Sequence, residues 1–242
     1  MDLSTRIKLN SGYEMPMVGF GTIRVPDEAI IMAIEAGYRL LDTASMYKYN
    51  ETGTGEAIAK GLVKRKDLFV CTKLWTDDIR QKRNREAFFE SLAKLKTDYV
   101  DLYLIHWPAE GFVEAYQEME KLQKEGYIRS LGVSNFKKHH FEELFKQTKV
   151  MPSVNEMEIN PGFQDEETMA FCREHGIVLE ASAPLGKGVM SIWKNYSHWQ
   201  QNIERVFRRL SCVGFFSKIS LWSRNRQKKR ELLPMRICLI SC

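Results

Sequence analysis

Up to about residue 188 the chain alternates two textures. Short apolar runs rich in β-formers read as strands: MVGFG (17–21), RLLDTA (39–44), LFVCTKLW (68–75), VDLYLIHW (100–107), IRSLGVSN (128–135), SVNEMEIN (153–160) and IVLEASAPL (177–185). Between them lie stretches of helical periodicity: DEAIIMAIEAG, GEAIAKGLVKR, REAFFESLAKLKT, FVEAYQEMEKLQKEG, HHFEELFKQT and DEETMAFCREHG. Three of these end at Gly37, Gly126 or Gly176, the residue a helix C-terminus prefers. Units of roughly 25–35 residues that repeat strand and helix predict a parallel sheet covered by helices. The strands are near-continuous apolar runs, as expected when both faces are buried. A preceding hairpin, RIKL–NSGYE–MPMV, is placed to plug the bottom of a barrel.

A doubly wound sheet usually opens with a Gly-rich phosphate loop. The first strand here runs into VGFGTIRVP, with no G-x-G-x-x-G and no Walker lysine. The pattern therefore favours a (β/α)8 barrel, whose chemistry sits at the C-terminal ends of its strands. The polar residues at those ends are Asp42 with Tyr47 shortly after, Lys73, His106, Ser134 with Asn135, and Glu156 with Glu158. Five successive strands each deliver a polar or ionisable group to one rim.

These groups suit reduction of a carbonyl by hydride, which needs a proton donor at the developing alkoxide. A tyrosine of ordinary pKa, about 10, is a poor acid at neutral pH unless its anion is stabilised. A neighbouring ammonium does that, and a buried carboxylate keeps the ammonium charged. Asp42, Lys73 and Tyr47 offer that set, and His106 adds a hydrogen bond that orients the substrate oxygen. Taken singly, each residue has a plainer reading. Asp42 could cap a helix, Lys73 could be a solvated strand end, His106 could be a satisfied core histidine, and Tyr47, Trp75 and Trp107 could be ordinary aromatics.

Composition narrows the class further. Of 242 residues, 44% are hydrophobic and 28% charged, a globular balance that suits one large domain. No apolar run approaches the ~18 residues that span a membrane, and MDLSTRIKLNSGYEMPM lacks the apolar core of a signal peptide. A cytoplasmic protein without a membrane partner is expected. Five cysteines without C-x-x-C spacing argue against a disulfide framework or a metal site. The net charge of +5 is unevenly distributed. Residues 193–242 hold 11 Lys or Arg and two acids, leaving 25 basic and 29 acidic residues, net −4, in 1–192.

The segments LLDTASMY, TKLW, LIHWP and LGVSNF, in that order, resemble the signature segments of the aldo-keto reductase family. The resemblance is nearest to the bacterial-type aldehyde and ketone reductases and runs from Met15 to about Gly188. It implies the (β/α)8 fold, NADPH binding without a Rossmann domain, and reduction of a small aldehyde or ketone. It assigns Tyr47 as general acid, Lys73 and Asp42 as the groups that tune it, and His106 as the group that orients the carbonyl. Ser134 and Asn135 would hold the nicotinamide carboxamide, and Gly21, Thr22, Asp42, Glu156 and Leu185 would lie along the cofactor. Trp75 and Trp107 would line the substrate pocket. Two positions depart from the family pattern. Asn155-Glu156 stands where the family has Asn-Gln, and an ionised glutamate can accept an amide N–H but donates nothing. Ser182 stands where the family has an aromatic that stacks on the nicotinamide, and a serine has no π face.

After Gly188 the pattern changes. Three of the five Trp and three of the five Cys fall beyond it, and no strand–helix order is visible. The family's eighth strand and its Pro-Lys-Ser grip on the cofactor 2′-phosphate do not appear. Codons formed from the third base of each codon and the first two of the next restore them. His198 to Cys212 then permits LAAKYRKSVSQVIL, Cys212 to Phe216 permits RWFL, Ser223 to Arg226 permits PKS, and Arg226 to Ser241 permits AKKERIAANADMFDF. Residues 1–190 are therefore expected to form a barrel domain truncated after about the seventh strand. Residues 191–242 are expected to be a basic tail translated out of frame after a one-base slip near 188–193. Exposed edges on the first and seventh barrel strands, poor solubility and little reductase activity follow as expectations. A complete barrel would be a monomer.

Two other classes compete. One is a catalytically inactive remnant, a barrel that binds nicotinamide cofactor or docks on a partner, which has no need of all four of Asp42, Tyr47, Lys73 and His106. The other is a nucleic-acid binder using the basic tail. There RNRQKKRE is a charge block without interleaved aromatics, so no nucleic-acid partner is expected.

Overall fold

Each of the seven apolar runs becomes a strand. The computed structural model describes residues 3–47, 49–160, 163–184 and 237–241. A short antiparallel hairpin, β1 (Arg6–Lys8) and β2 (Glu14–Pro16), comes first. The barrel strands follow: β3 (Val18–Gly21), β4 (Leu40–Asp42), β5 (Phe69–Leu74), β6 (Val100–Ile105), β7 (Ile128–Ser134), β8 (Val154–Glu158) and β9 (Val178–Ser182). They pair in chain order, all parallel. Each helix returns the chain across the outside: α1 (Asp27–Glu35), α2 (Asn50–Ala59), α3 (Thr76–Arg80), α4 (Asn84–Leu95), α5 (Phe112–Lys124), α6 (Lys138–Leu144) and α7 (Glu166–Glu174). Gly37, Gly126 and Gly176 follow helices at positive φ, as left-handed helix ends require.

The barrel is closed, and this corrects one expectation. A tenth strand, β10 (Ile237–Ser241), lies between β9 and β3, parallel to both. The edges expected to stand open are therefore paired through the backbone of the last described residues. The ladder asks only for an extended backbone in register, a demand that the apolar run ICLIS meets without the family's sequence. Residues 185–236, which include Leu185 and most of the tail, lie outside the described residues.

Side chains alternate along each strand, so two cores form. Outside the sheet, Val70, Leu74, Tyr103, Ile105, Leu131, Val133 and Leu179 pack against helix residues such as Ile30, Phe88, Tyr116 and Phe141. Inside, Leu40, Phe69, Cys71, Leu102, Leu104, Val154 and Val178 pack against Ile7, Leu9 and Met15 of the hairpin. The hairpin floors the barrel as expected. Asn10 Nδ2 donates to Pro152 O at 2.9 Å, and Ser11 and Ser130 hydroxyls meet at 2.8 Å. Below the helix layer, Asp101 accepts from Arg65 and Arg129 (2.8 and 2.7 Å) and from the Val70 N–H (2.9 Å). Both guanidiniums also lie against the Tyr99 ring, 4.1 and 3.9 Å from its centroid.

With an apolar lower layer filled, the next inward positions up the strands carry charge. One step above Leu40, Cys71, Val154 and Val178 come Asp42, Lys73, Glu156 and Glu180. No helix among the described residues is long and apolar enough to cross a membrane.

Candidate active site

Lys73 is the centre of the upper layer. It is fully buried, and its Nζ donates to Asp42 Oδ1 and Oδ2, both at 2.6 Å, and to Thr43 O at 3.2 Å. Glu156 Oε2 lies 3.0 Å from the same nitrogen. Burial pulls the Lys73 pKa down, but Asp42 and then Glu156 outweigh it, and the ammonium is held well above its ordinary value. It stays charged at every working pH.

Tyr47 sits in the loop after β4, with its ring centroid 5.7 Å from Lys73 Nζ. The same ring packs edge-on against His106 at 5.6 Å, and Trp75 packs edge-on against the other side of that imidazole at 5.1 Å. His106 follows β6 and is nearly buried, and its Nδ1 has no hydrogen-bond partner among the described residues. Burial first, and the Lys73 charge second, lower its pKa to about 3. His106 is therefore a neutral imidazole at working pH, able to donate from one nitrogen or accept at the other.

On the opposite arc, Asn135 adopts φ 60°, a left-handed conformation that asparagine tolerates. Its N–H donates to Glu156 O at 2.8 Å. Its Nδ2 donates to His106 O and to Ser134 Oγ, both at 3.0 Å. Those bonds occupy the amide donors and leave Oδ1 as the group to receive a ligand N–H. Ser134 and Thr22 are buried, and Thr22 Oγ1 has no partner among the described residues. Gly21 ends β3, and the Thr22 N–H donates to Asp42 O at 2.8 Å. Trp107, just past the end of β6, is 49% exposed.

The structure thus brings Asp42, Tyr47, Lys73 and His106 together, with Ser134, Asn135, Glu156, Gly21 and Thr22 on the same rim. Leu185 lies outside the described residues. Ser182, at the end of β9 and paired with Glu158, is half-buried. Glu180 is a member that the sequence reading passed over. It is completely buried, and neither carboxyl oxygen has a hydrogen-bond partner among the described residues. Its signal was an acid at an inward position of an otherwise apolar strand. Burial, then Glu156 and Asp42, raise its pKa well above the ordinary value.

A nicotinamide cofactor fits these groups. Orphaned buried atoms (Thr22 Oγ1 and His106 Nδ1) and the Oδ1 of Asn135 face a rim that already holds a charged lysine.

Comparison with known proteins places this geometry. The sequence model of the aldo/keto reductase family matches residues 26–233. Methylglyoxal reductase DkgA of Escherichia coli is 46% identical over 191 residues, covering 76% of this chain and 68% of that protein. Glyoxal reductase of Bacillus subtilis is 42% identical over 192 residues, covering 77% of this chain and 69% of that protein. Among solved structures, an aldo/keto reductase from Brucella melitensis superposes with a TM-score of 0.73 at 42% identity, covering 76% of this chain and 74% of the other. A Bombyx mori aldo-keto reductase in complex with NADP superposes at 0.70 with 38% identity, covering 76% and 67%.

A parallel barrel with a lysine–carboxylate pair under a tyrosine and a neutral histidine defines a carbonyl-reducing oxidoreductase. This chain belongs to the aldo/keto reductase family, enzymes that use NADPH to reduce aldehydes and ketones to alcohols.

Proposed function

We propose that this chain reduces small, polar aldehydes of the 2-oxoaldehyde class with NADPH, using Tyr47 as the acid. The observation that carries the reading is the Lys73 ammonium, clamped by both oxygens of Asp42 and set beneath Tyr47 beside a neutral His106. The likeness to methylglyoxal and glyoxal reductases supports the substrate class. Bound NADPH supplies the hydride. Asn135 Oδ1 would accept the carboxamide N–H, and Ser134, Thr22 and Gly21 would line that side of the cofactor. The neutral His106 donates a hydrogen bond to the substrate oxygen and fixes its direction toward Tyr47. Tyr47 Oη gives its proton to that oxygen as alkoxide develops, and Lys73 stabilises the tyrosinate left behind. Trp75 and Trp107 wall the substrate from water.

An inert remnant is the less favoured reading, because Asp42, Tyr47, Lys73 and His106 are all assembled on one rim. The expected loss of activity rested on open barrel edges and a missing phosphate grip. The first ground is removed by β10, and the second concerns residues outside the described ones. The reading makes the chain a cytoplasmic monomer that acts on a small molecule and not on nucleic acid. It also keeps 1–190 as the part of the barrel that carries the family's sequence and 191–242, which supplies β10, as a segment translated out of frame; resequencing the coding DNA across codons 185–200 checks this directly.

The purified 242-residue chain, mixed with NADPH and methylglyoxal, is expected to consume the cofactor. Tyr47→Phe is expected to slow kcat by about 10²–10⁴-fold with binding retained. Cofactor binding without turnover would overturn the reading in favour of a binding barrel.

A further inference from the structure

The upper layer of the barrel holds more carboxylates than its single cation can balance. Asp42 already takes Lys73 with both oxygens. Glu156 reaches the same nitrogen at 3.0 Å. Glu180 stands directly across the β8–β9 ladder from Glu156. Like charges directly opposite each other on a ladder repel, and carboxylates sharing one site cannot all ionise. Glu180 on β9, Lys73 and Cys71 on β5 and Asp42 on β4 bear on Glu156, while Tyr47 and His106 lie near Lys73. The neighbouring β7 contributes Ser134 and Asn135, which carry no charge. His106 is neutral, and burial pushes the Cys71 thiol well up, so it is neutral too. Lys73 is then the one cation among these groups, facing three acids.

We propose that Glu156 is a positioning residue for the reduction, acting through Lys73: its proton, held or released, decides whether the ammonium is divided between two carboxylates or left to support Tyr47. The inference rests on the reading of Asp42, Tyr47, Lys73 and His106 as the reducing site. With Glu156 ionised, Lys73 is neutralised from two sides and its field at Tyr47 is weakened. With Glu156 protonated, Asp42 alone holds Lys73, and the tyrosinate formed in the reaction gains the full ammonium. Burial and Asp42 raise the Glu156 pKa to about 7 against the opposing pull of Lys73, which puts the exchange in the working range.

Two readouts on the full chain test this. The first needs no turnover: infrared difference spectra recorded through a pH titration of the ligand-free protein. A protonated-carboxyl C=O band that disappears as pH rises through about 7 is expected in the wild type and in Glu180→Gln, and is expected to be absent in Glu156→Gln. The second is the pH profile of NADPH-dependent methylglyoxal reduction. Wild-type kcat is expected to fall about tenfold between its acid plateau and pH 8, the fraction still protonated one unit above the midpoint. Glu156→Gln is expected to lose that fall between the acid range and pH 8, whatever the level of its own kcat. A band that survives in Glu156→Gln, or a variant profile that falls with the wild type, overturns the proposal. If that variant does not fold, isotope-labelled glutamate in the wild type still decides, because the absence of any buried carboxyl titrating near neutrality overturns it. A wild type that shows the band yet never turns over refutes the reductase reading and leaves the proton assignment standing.

Discussion

Glu180→Gln should make this protein more stable at neutral pH, and only there. Glu180 is completely buried, has no hydrogen-bond partner among the described residues, and faces Glu156 and Asp42 across the barrel. Its folded pKa is raised well above its ordinary value of 4.5, so the folded chain keeps a proton that the unfolded chain releases. Between pH 4.5 and the folded value the native state binds more protons, and stability falls as pH rises. Each pH unit inside that window costs about 1.4 kcal/mol. Glutamine keeps the shape and removes the titration. The unpartnered polar atoms remain in both forms and largely cancel. For a chain of this size, each kcal/mol corresponds to roughly 2–4 °C in Tm. Thermal melts followed by circular dichroism at about pH 4.5 and about pH 7 should show matching Tm values at the acid pH and a higher Tm for the variant at neutrality. A gap of equal size at both pH values would mean that Glu180 is not a proton-binding group of the folded state. A less stable variant at neutrality would mean that the buried carboxyl is ionised and paired.

Other consequences are equally concrete. Asp101→Ala strips one buried carboxylate from two guanidiniums and a backbone N–H, and should cost roughly 3–5 kcal/mol in urea unfolding. Gly55→Ala would drive a Cβ into Lys94 O, where the backbones of α2 and α4 touch, and should destabilise by about 1–3 kcal/mol in the same assay. Because burial and Lys73 lower the His106 pKa to about 3, His106→Gln should lower kcat without altering the shape of its pH profile between pH 5 and 8. The stability that the neutral imidazole confers is complete above its unfolded value of 6.5 and declines as pH falls toward 3, which pH-dependent melts of the two proteins would register.

The strands were legible because burial on both faces writes them as unbroken apolar runs, and the ends of β3 to β9 fall within three residues of the ends of those runs. Helix α2 was read too late along the chain. Its opening, NETGTG, has little helix propensity, yet Gly53 and Gly55 sit where Asp27 and Lys94 approach too closely for a side chain, so packing overrides propensity there. Helix α3 is five residues long, too short for a period to show. The tetrad was legible as one polar group per strand end. Glu180 was not, because an acid within IVLEAS gains meaning only when its neighbours across the ladder are known. The closing strand was missed for a related reason: ICLIS carries no family motif, and the slot that it fills selects for backbone geometry.

The hairpin floor has a bearing on the order in which the barrel is built. Its Asn10 and Ser11 reach partners 142 and 119 residues away, at Pro152 and Ser130. Contacts of that sequence separation close a long loop and come late on a folding path. Those two bonds can form only once β7 and the approach to β8 are in place, whereas the β3-to-β6 ladders need only local crossovers. The N-terminal hairpin is therefore expected to be among the last parts of the barrel to dock. Pulse-labelled hydrogen exchange would show late protection at Leu9 and Met17, whose N–H groups bond within the hairpin and its flank.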